Sequence, residues 1–282
     1  MFADYHVHSE FSDDSSYPMD EVCAHACELG IAEPCFTDHV DYGVKPDFDN
    51  IPSDMKGVRI ENGIPVTNVD YKHYFPRIEQ MREQFAPNLV VRTGMEFGAQ
   101  SHTLEQFNAL FERYASVWDF IILSIHQVDD QEFWSGDFQK GRTQAEYNMA
   151  YYEEMLYVAE HFDNWSVLGH LDLIKRYDPA GIWPDSNTRD IVAEILKCVI
   201  RKGKGIEVNT SSFRYGLPDL QPSTEILHLY RDLGGRILTF GSDSHKPEHL
   251  GAHIPEVHDR VRALGYSQFC TFDHMEPMFC EL

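Results

Sequence analysis

Basic residues are scarce in this chain. Its 282 residues carry 23 Lys plus Arg against 46 Asp plus Glu, a formal net charge of −23. So acidic a surface repels phosphate backbones and anionic lipid. That excludes a nucleic-acid or membrane-surface binder and leaves room only for a local basic site holding one small phosphate. No run of 18 apolar residues occurs, and the N-terminus (MFADYHVHSEF) lacks a basic stretch followed by an apolar one. Neither a membrane span nor a secretory leader is expected, and the chain reads as cytoplasmic. Cysteine is sparse too: Cys23, Cys27, Cys35, Cys198, Cys270 and Cys280 form no CxxC pair. Cys23 and Cys27 lie four apart in a helical pattern, on one helix face, and the whole set reads as buried free thiols of a reducing compartment. With 43% apolar and 24% charged residues, disorder is excluded, and the length suits one large domain.

What the chain has in plenty is histidine, 15 in all. Six of them fall where short β-type runs end. These runs are Phe2–Val7 (His6, His8), Pro34–Thr37 (Asp38, His39), Leu89–Met95 (Glu96), Phe120–Ile125 (His126), Ser166–Leu168 (His170), Ile206–Val208 (Asn209, Thr210, Arg214) and Arg236–Phe240 (Asp243, His245). Helical patterns separate them over Pro18–Leu29 with Gly30 as its cap, Thr103–Ser116, Thr143–Phe162, Asn187–Lys202 and Ser223–Leu233. Strand then helix, seven times over, predicts parallel βαβ units. An open sheet and a closed barrel both satisfy that pattern. Closure is favoured because it alone brings seven polar strand ends round one mouth.

One spacing is irregular. Between His39 and Glu96 the segment Asp41–Asn68 is rich in Pro, Gly, Asn and Asp and reads as a long loop over the mouth, a lid or specificity insertion at about 41–70. Asp70–Phe85 is a helix candidate that Pro76 would kink or begin. No linker divides the chain, so residues 1–282 form a single domain.

His6-x-His8 puts two imidazoles on one side of a strand. HxH alone is weak, and so are Thr37-Asp38-His39 and Ser242-Asp243-Ser244-His245 taken singly. Added to Asp14, Glu96, His126 and His170, they make nine potential ligands: six imidazoles and three carboxylates. Carboxylates gathered in one cavity repel each other and are costly to desolvate, and divalent cations cancel both penalties. Neutral imidazole adds nitrogen donors without charge, so the set suits two or three ions with positions left for water.

The motifs DYHVHSEFSDD (4–14), FTDH (36–39), GMEF (94–97), SIHQV (124–128), GHLDLIKRY (169–177), EVNTSSFR (207–214) and GSDSH (241–245), with the tail Phe272–Leu282, resemble the PHP (polymerase and histidinol phosphatase) superfamily. Within it the chain looks most like the histidinol-phosphate phosphatases. The resemblance implies a distorted (β/α)7 TIM-like barrel and a trinuclear centre of divalent transition ions, zinc, iron or manganese. His6, His8, Glu96 and Asp243 would hold the first ion and Glu96, His126 and His170 the second, with Glu96 bridging. Asp14, His39 and His245 would hold the third. Such ions suit phosphomonoester hydrolysis. Arg176 and Arg214 are the candidates for the remaining phosphoryl oxygens, with Lys175 an alternative to Arg176. A water on the third ion, or Asp243 or His245 near it, would protonate the leaving alkoxide. His102 reads as a solvated loop residue. The loop Phe97–His102 and Gln127 depart from the family's pattern and bear on substrate identity.

The expected reaction is hydrolysis of L-histidinol phosphate, a small substrate, in histidine biosynthesis. A nucleotide or sugar phosphate is the alternative within the same site. An amidohydrolase-type barrel also opens on HxH, but it bridges its ions with a carboxylated lysine. A metal-stabilised scaffold is the non-enzymatic reading. Nothing in the sequence fixes oligomeric state.

Overall fold

The computed structural model describes residues 2–52, 54–56, 58–61 and 63–282. Seven parallel strands run in chain order round a nearly closed barrel: β1 (Ala3–Val7), β2 (Glu33–Phe36), β3 (Arg92–Gly98), β4 (Phe120–Ser124), β5 (Val167–Leu168), β6 (Gly205–Asn209) and β7 (Leu238–Gly241). Closure comes past the end of β7, where His8 N–H donates to the Ser244 carbonyl at 2.8 Å and Ser244 N–H to that of His6 at 3.2 Å. Helices α1 (Met19–Leu29), α2 (Tyr71–Phe85), α3 (Leu104–Arg113), α4 (Gln144–His161), α5 (Arg189–Arg201), α6 (Thr224–Asp232) and α7 (Ile254–Ala263) alternate with them. The expected distorted (β/α)7 barrel is the observed fold.

Apart from Arg92, which is partly exposed, strand residues are buried, as parallel strands covered on both faces require. The helices turn apolar stripes inward. In α1, Met19, Val22, Cys23 and Ala26 are buried, and Gly30 closes the helix at φ 76°. Helix α4 starts on a full capping box, Thr143 with Glu146.

Three sequence expectations need correction. The third strand starts at Arg92, not Leu89, and runs to Gly98, so Glu96 sits inside it. Val90 points to solvent, and its N–H bonds the Ala32 carbonyl ahead of the strand. Helix α2 begins at Tyr71 and carries Pro76 within it, where the missing N–H forgoes one helical bond. Cys27 is exposed although Cys23 is buried, because it lies about 100° past Ala26 and off the inward stripe. The C-terminus adds an element that the sequence patterns did not assign. After α7 comes an antiparallel hairpin, β8 (Gln268–Asp273) with β9 (Glu276–Glu281), tied to the first strand through the Tyr5 hydroxyl, which accepts from Phe272 N–H at 2.7 Å.

The segment between β2 and α2 holds a short 3-10 turn (Phe48–Asn50) and a two-residue antiparallel pair, Ile60–Glu61 with Ile64–Pro65. Asn68 staples its base: its side-chain oxygen accepts from Asp41 N–H at 2.8 Å and its amide donates to the Lys45 carbonyl at 3.3 Å.

Candidate active site

The C-terminal ends of the strands bring all nine candidate ligands to one mouth. Glu96 lies at the centre. Its Oε1 is 2.8 Å from His170 Nε2 and 3.1 Å from His126 Nε2, and its Oε2 is 3.1 Å from both His6 Nε2 and His39 Nδ1. His8 Nε2 lies 3.5 Å from Glu96 Oε2 and 3.7 Å from Asp243 Oδ1. On the outer side, Asp14 Oδ2 is 3.1 Å from His245 Nε2 and 3.5 Å from His39 Nε2. His39 therefore spans two of the expected groups. Asp14 is half exposed, while His6, His8 and Glu96 are fully buried.

His170 and Asp243 both adopt left-handed backbone, at φ 23° and 55°, an unfavourable state for residues with a Cβ that is characteristic of functional turns. At Gly98 and Gly241 a side chain would collide with the site itself. A Cβ on Gly98 would overlap the Asp41 carboxylate, and one on Gly241 would strike Glu207 and His6.

Burial and neighbouring charge set the ionisation. Burial opposes charge on Glu96, but the His6, His126 and His39 imidazoles outweigh it and hold the carboxyl well below its usual range. Asp243 is held low in the same way, against burial, by His6, Arg176 and His245. His8 is pushed well below 6.5 by burial and by His245, His39 and His6, which keeps it a neutral donor.

Does this set fit metal ions? His8 Nε2 is buried without a hydrogen-bond partner. Its distances to both carboxylates are too long for a good hydrogen bond. Two donors each about 2.1 Å from a tetrahedral ion lie roughly 3.4 Å apart, the spacing found round His6, His8, Glu96 and Asp243. Several triads here could hold an ion, among them His6–His8–Glu96, Glu96–His126–His170 and His8–His39–His245. The residues fit.

Sequence reasoning missed the groups that aim these rings. Glu207, buried in β6, accepts from His6 Nδ1 at 2.6 Å and from His170 N–H at 2.8 Å. Asp41 accepts from His126 Nδ1 at 2.8 Å, and its other oxygen meets Lys45 Nζ at 2.9 Å. Each carboxylate fixes one ring nitrogen and leaves Nε2 facing Glu96. A charged residue inside the apolar run Gly-Ile-Glu-Val-Asn was the available signal for Glu207; Asp41 carried none.

The two arginines part company. Arg176 lines the pocket and is buried. It donates to Gln221 at 2.7 Å, Ser211 at 2.6 Å and Asp243 Oδ2 at 3.1 Å, and it stacks over Tyr215 at 4.5 Å. Arg214 sits behind Asp243 and spends its guanidinium on the carbonyls of Ser242 and Asp243, at 3.1 and 2.6 Å. Lys175 is turned away and buried between Asp172 and Asp185. His102 is exposed beside Asp130. Lys45 reaches the pocket but lies between Asp13 and Asp41. The cavity, about 240 Å³, is walled further by Arg59, Glu61, Trp134, Leu173, Tyr177 and Tyr215.

Comparison with known proteins gives concordant results. The family model described as PHP domain matches residues 4–211. A histidinol-phosphatase of Lactococcus lactis subsp. lactis is 28% identical over 97% of this chain and 95% of its own length. A histidinol-phosphatase of Saccharomyces cerevisiae is 21% identical over 90% of this chain and 86% of its own. Among solved structures, histidinol phosphate phosphatase from Lactococcus lactis, complexed with zinc, L-histidinol and phosphate, superposes with a TM-score of 0.81 at 27% identity, covering 98% of both chains.

Proposed function

The chain belongs to the PHP domain family, and from that membership and the geometry of the mouth we propose that it is a metal-dependent phosphomonoesterase. It converts L-histidinol phosphate and water to L-histidinol and phosphate. The observation that carries the reading is the convergence of five imidazoles, those of His6, His8, His39, His126 and His170, on Glu96, with Asp14, Asp243 and His245 joined to the same cluster and Arg176 fixed beside Asp243. Relatives that match nearly the whole chain are histidinol-phosphatases, one with zinc, L-histidinol and phosphate bound.

His6, His8, Glu96 and Asp243 would hold one ion, Glu96, His126 and His170 a second, and Asp14, His39 and His245 a third. Zinc, iron or manganese there would supply Lewis acidity toward water and the phosphoryl oxygens. The chain's own part is positional and electrostatic. Glu207 and Asp41 lock His6 and His126 with Nε2 inward. The buried Arg176 guanidinium, planar and permanently charged, binds a phosphoryl oxygen through the transition state. Arg214 supports Asp243 in its left-handed turn and is the second candidate for phosphoryl contact. The leaving alkoxide takes its proton at the Asp243–His245 end of the pocket. Residues 41–70 act as a lid on this single domain.

Phosphate release by metal-loaded protein tests the reading, with histidinol phosphate, a nucleoside monophosphate, a sugar phosphate and an aryl phosphate as substrates and Asp243→Asn as control. Preference for histidinol phosphate, abolished in the control, is expected. Turnover of the aryl ester alone would remove the histidinol assignment. No turnover with metal bound would remove the phosphatase.

A further inference from the structure

Two loops contribute to the wall of the pocket: the insertion between β2 and α2, and the segment that follows His126. A single arginine joins them. Arg59 Nη1 and Nη2 each donate to one oxygen of Glu132 at 2.8 Å, a two-pronged fork. Among the described residues, these are the polar contacts by which the segment 51–61 reaches the rest of the protein outside the insertion. Glu132 is nearly buried, and its residue pairs with Gln127 in the short hairpin directly behind His126. Two residues on, Trp134 is 47% exposed and faces the pocket.

Charge at this rim does not cancel. Arg59 also meets Glu61 through Nε at 3.2 Å, so one cation faces two carboxylates. The surplus negative charge lies on Glu61, which is half exposed and lines the cavity. A carboxylate and an indole presented together suit a flat, cationic group.

We propose that Arg59 is a positioning residue that straps the insertion to the hairpin behind His126, and that Glu61 and Trp134, so held, form the subsite for a cationic, planar leaving group. The proposal rests on the phosphatase reading above and assigns a basis for choosing among phosphate esters. Arg59 touches no reacting atom. It sets how completely the leaving-group end of the pocket is walled.

Charge reversal tests it. Arg59→Glu and Glu132→Arg are each expected to raise KM for histidinol phosphate about tenfold with little change in kcat, and to raise it less for an alkyl phosphate without a cationic leaving group. The double variant, which rebuilds the pair, is expected to recover KM to within about twofold. In parallel, limited proteolysis of metal-loaded protein should cut within 51–61 faster in each single variant and return to the wild-type rate in the double. A double variant no better than the singles, or an unchanged KM and cutting rate in Arg59→Glu, overturns the strap. Should Glu132→Arg fail to fold, Arg59→Ala against Arg59→Lys carries the same test. Alanine is expected to lose the protection and lysine to restore part of it; an alanine variant identical to wild type overturns the proposal. If wild-type protein hydrolyses an aryl phosphate but not histidinol phosphate, the substrate reading fails while the proteolysis arm still decides the strap.

Discussion

At the closed end of the barrel Arg92 donates to Glu33 at 2.7 Å and to Asp273 at 2.5 Å, and Arg82 grips Asp119, whose carboxylate also accepts from Thr93 N–H at 2.9 Å. At the open end His8 Nε2 and His170 Nδ1 are buried with no hydrogen-bond partner, and imidazoles crowd round one glutamate. Both ends are dense in ionisable side chains. The closed end pairs its cations and anions within the chain, and those bonds serve stability. The open end holds an arrangement that only added positive charge completes. Buried charge that is satisfied reads as architecture; buried donors left over read as a binding site.

That contrast can be broken from the mouth first. Glu96→Gln removes the centre of the cluster and is expected to lower kcat at least about 10³-fold, with fewer ions retained in elemental analysis, while the fold persists in circular dichroism. Glu207→Gln tests the ring-aiming carboxylate, and its metal affinity is expected to fall about 10- to 100-fold in a competition titration with a chromogenic chelator. Asp119→Ala attacks the other end. It strands Arg82 and Thr93 N–H, so denaturant unfolding should show a loss of about 2–4 kcal/mol with kcat unaltered. A drop in kcat matching that of Glu96→Gln would erase the distinction between the two ends.

The smallest effect is one of pH. His258 lies between Phe240 and Phe269, at ring distances of 4.2 and 5.1 Å, and burial lowers its pKa from 6.5 to about 4. Between those values the unfolded chain binds a proton that the folded chain refuses, so stability is full above pH 6.5 and falls as pH drops toward 4. His258→Phe should remove this contribution. Equilibrium unfolding of the two proteins is expected to show stability curves that diverge only below about pH 6.5, the wild type falling faster. Parallel curves would refute the assignment.

The alternation of strands and helices was legible in the sequence because strands buried on both faces are short unbroken apolar runs, whereas amphipathic helices repeat their apolar residues at helical spacing. The nine candidate ligands were legible because their side chains have few other uses at strand ends. What escaped has a common physical character. Asp41 aims His126 across 85 residues, Glu207 aims His6 across 201, and Arg59 meets Glu132 across 73. Such pairs exist only once the barrel is folded, and no local pattern announces them. The β8–β9 hairpin escaped for a simpler reason: its outer strand is mostly exposed, with Met278 and Phe279 facing outward, so it lacks the buried run that marks the barrel strands. The third strand was misplaced because Leu89–Val91 is as apolar as a strand while serving as its approach.

The seam between the first and last strands has a bearing on how the protein comes into being. Asp4 accepts from Ser242 N–H at 2.9 Å, 238 residues away, and Tyr5 reaches Phe272, 267 residues away. His6 and His8 lie on the early side of that seam, Asp243 and His245 on the late side. A nascent chain therefore carries only part of the candidate ligand set until residues 243–245 are made, and contacts of such long sequence separation form late. The donors of the candidate site come into register only as the ring shuts, so any ion that needs both sides of the seam would be gripped after ring closure rather than before it.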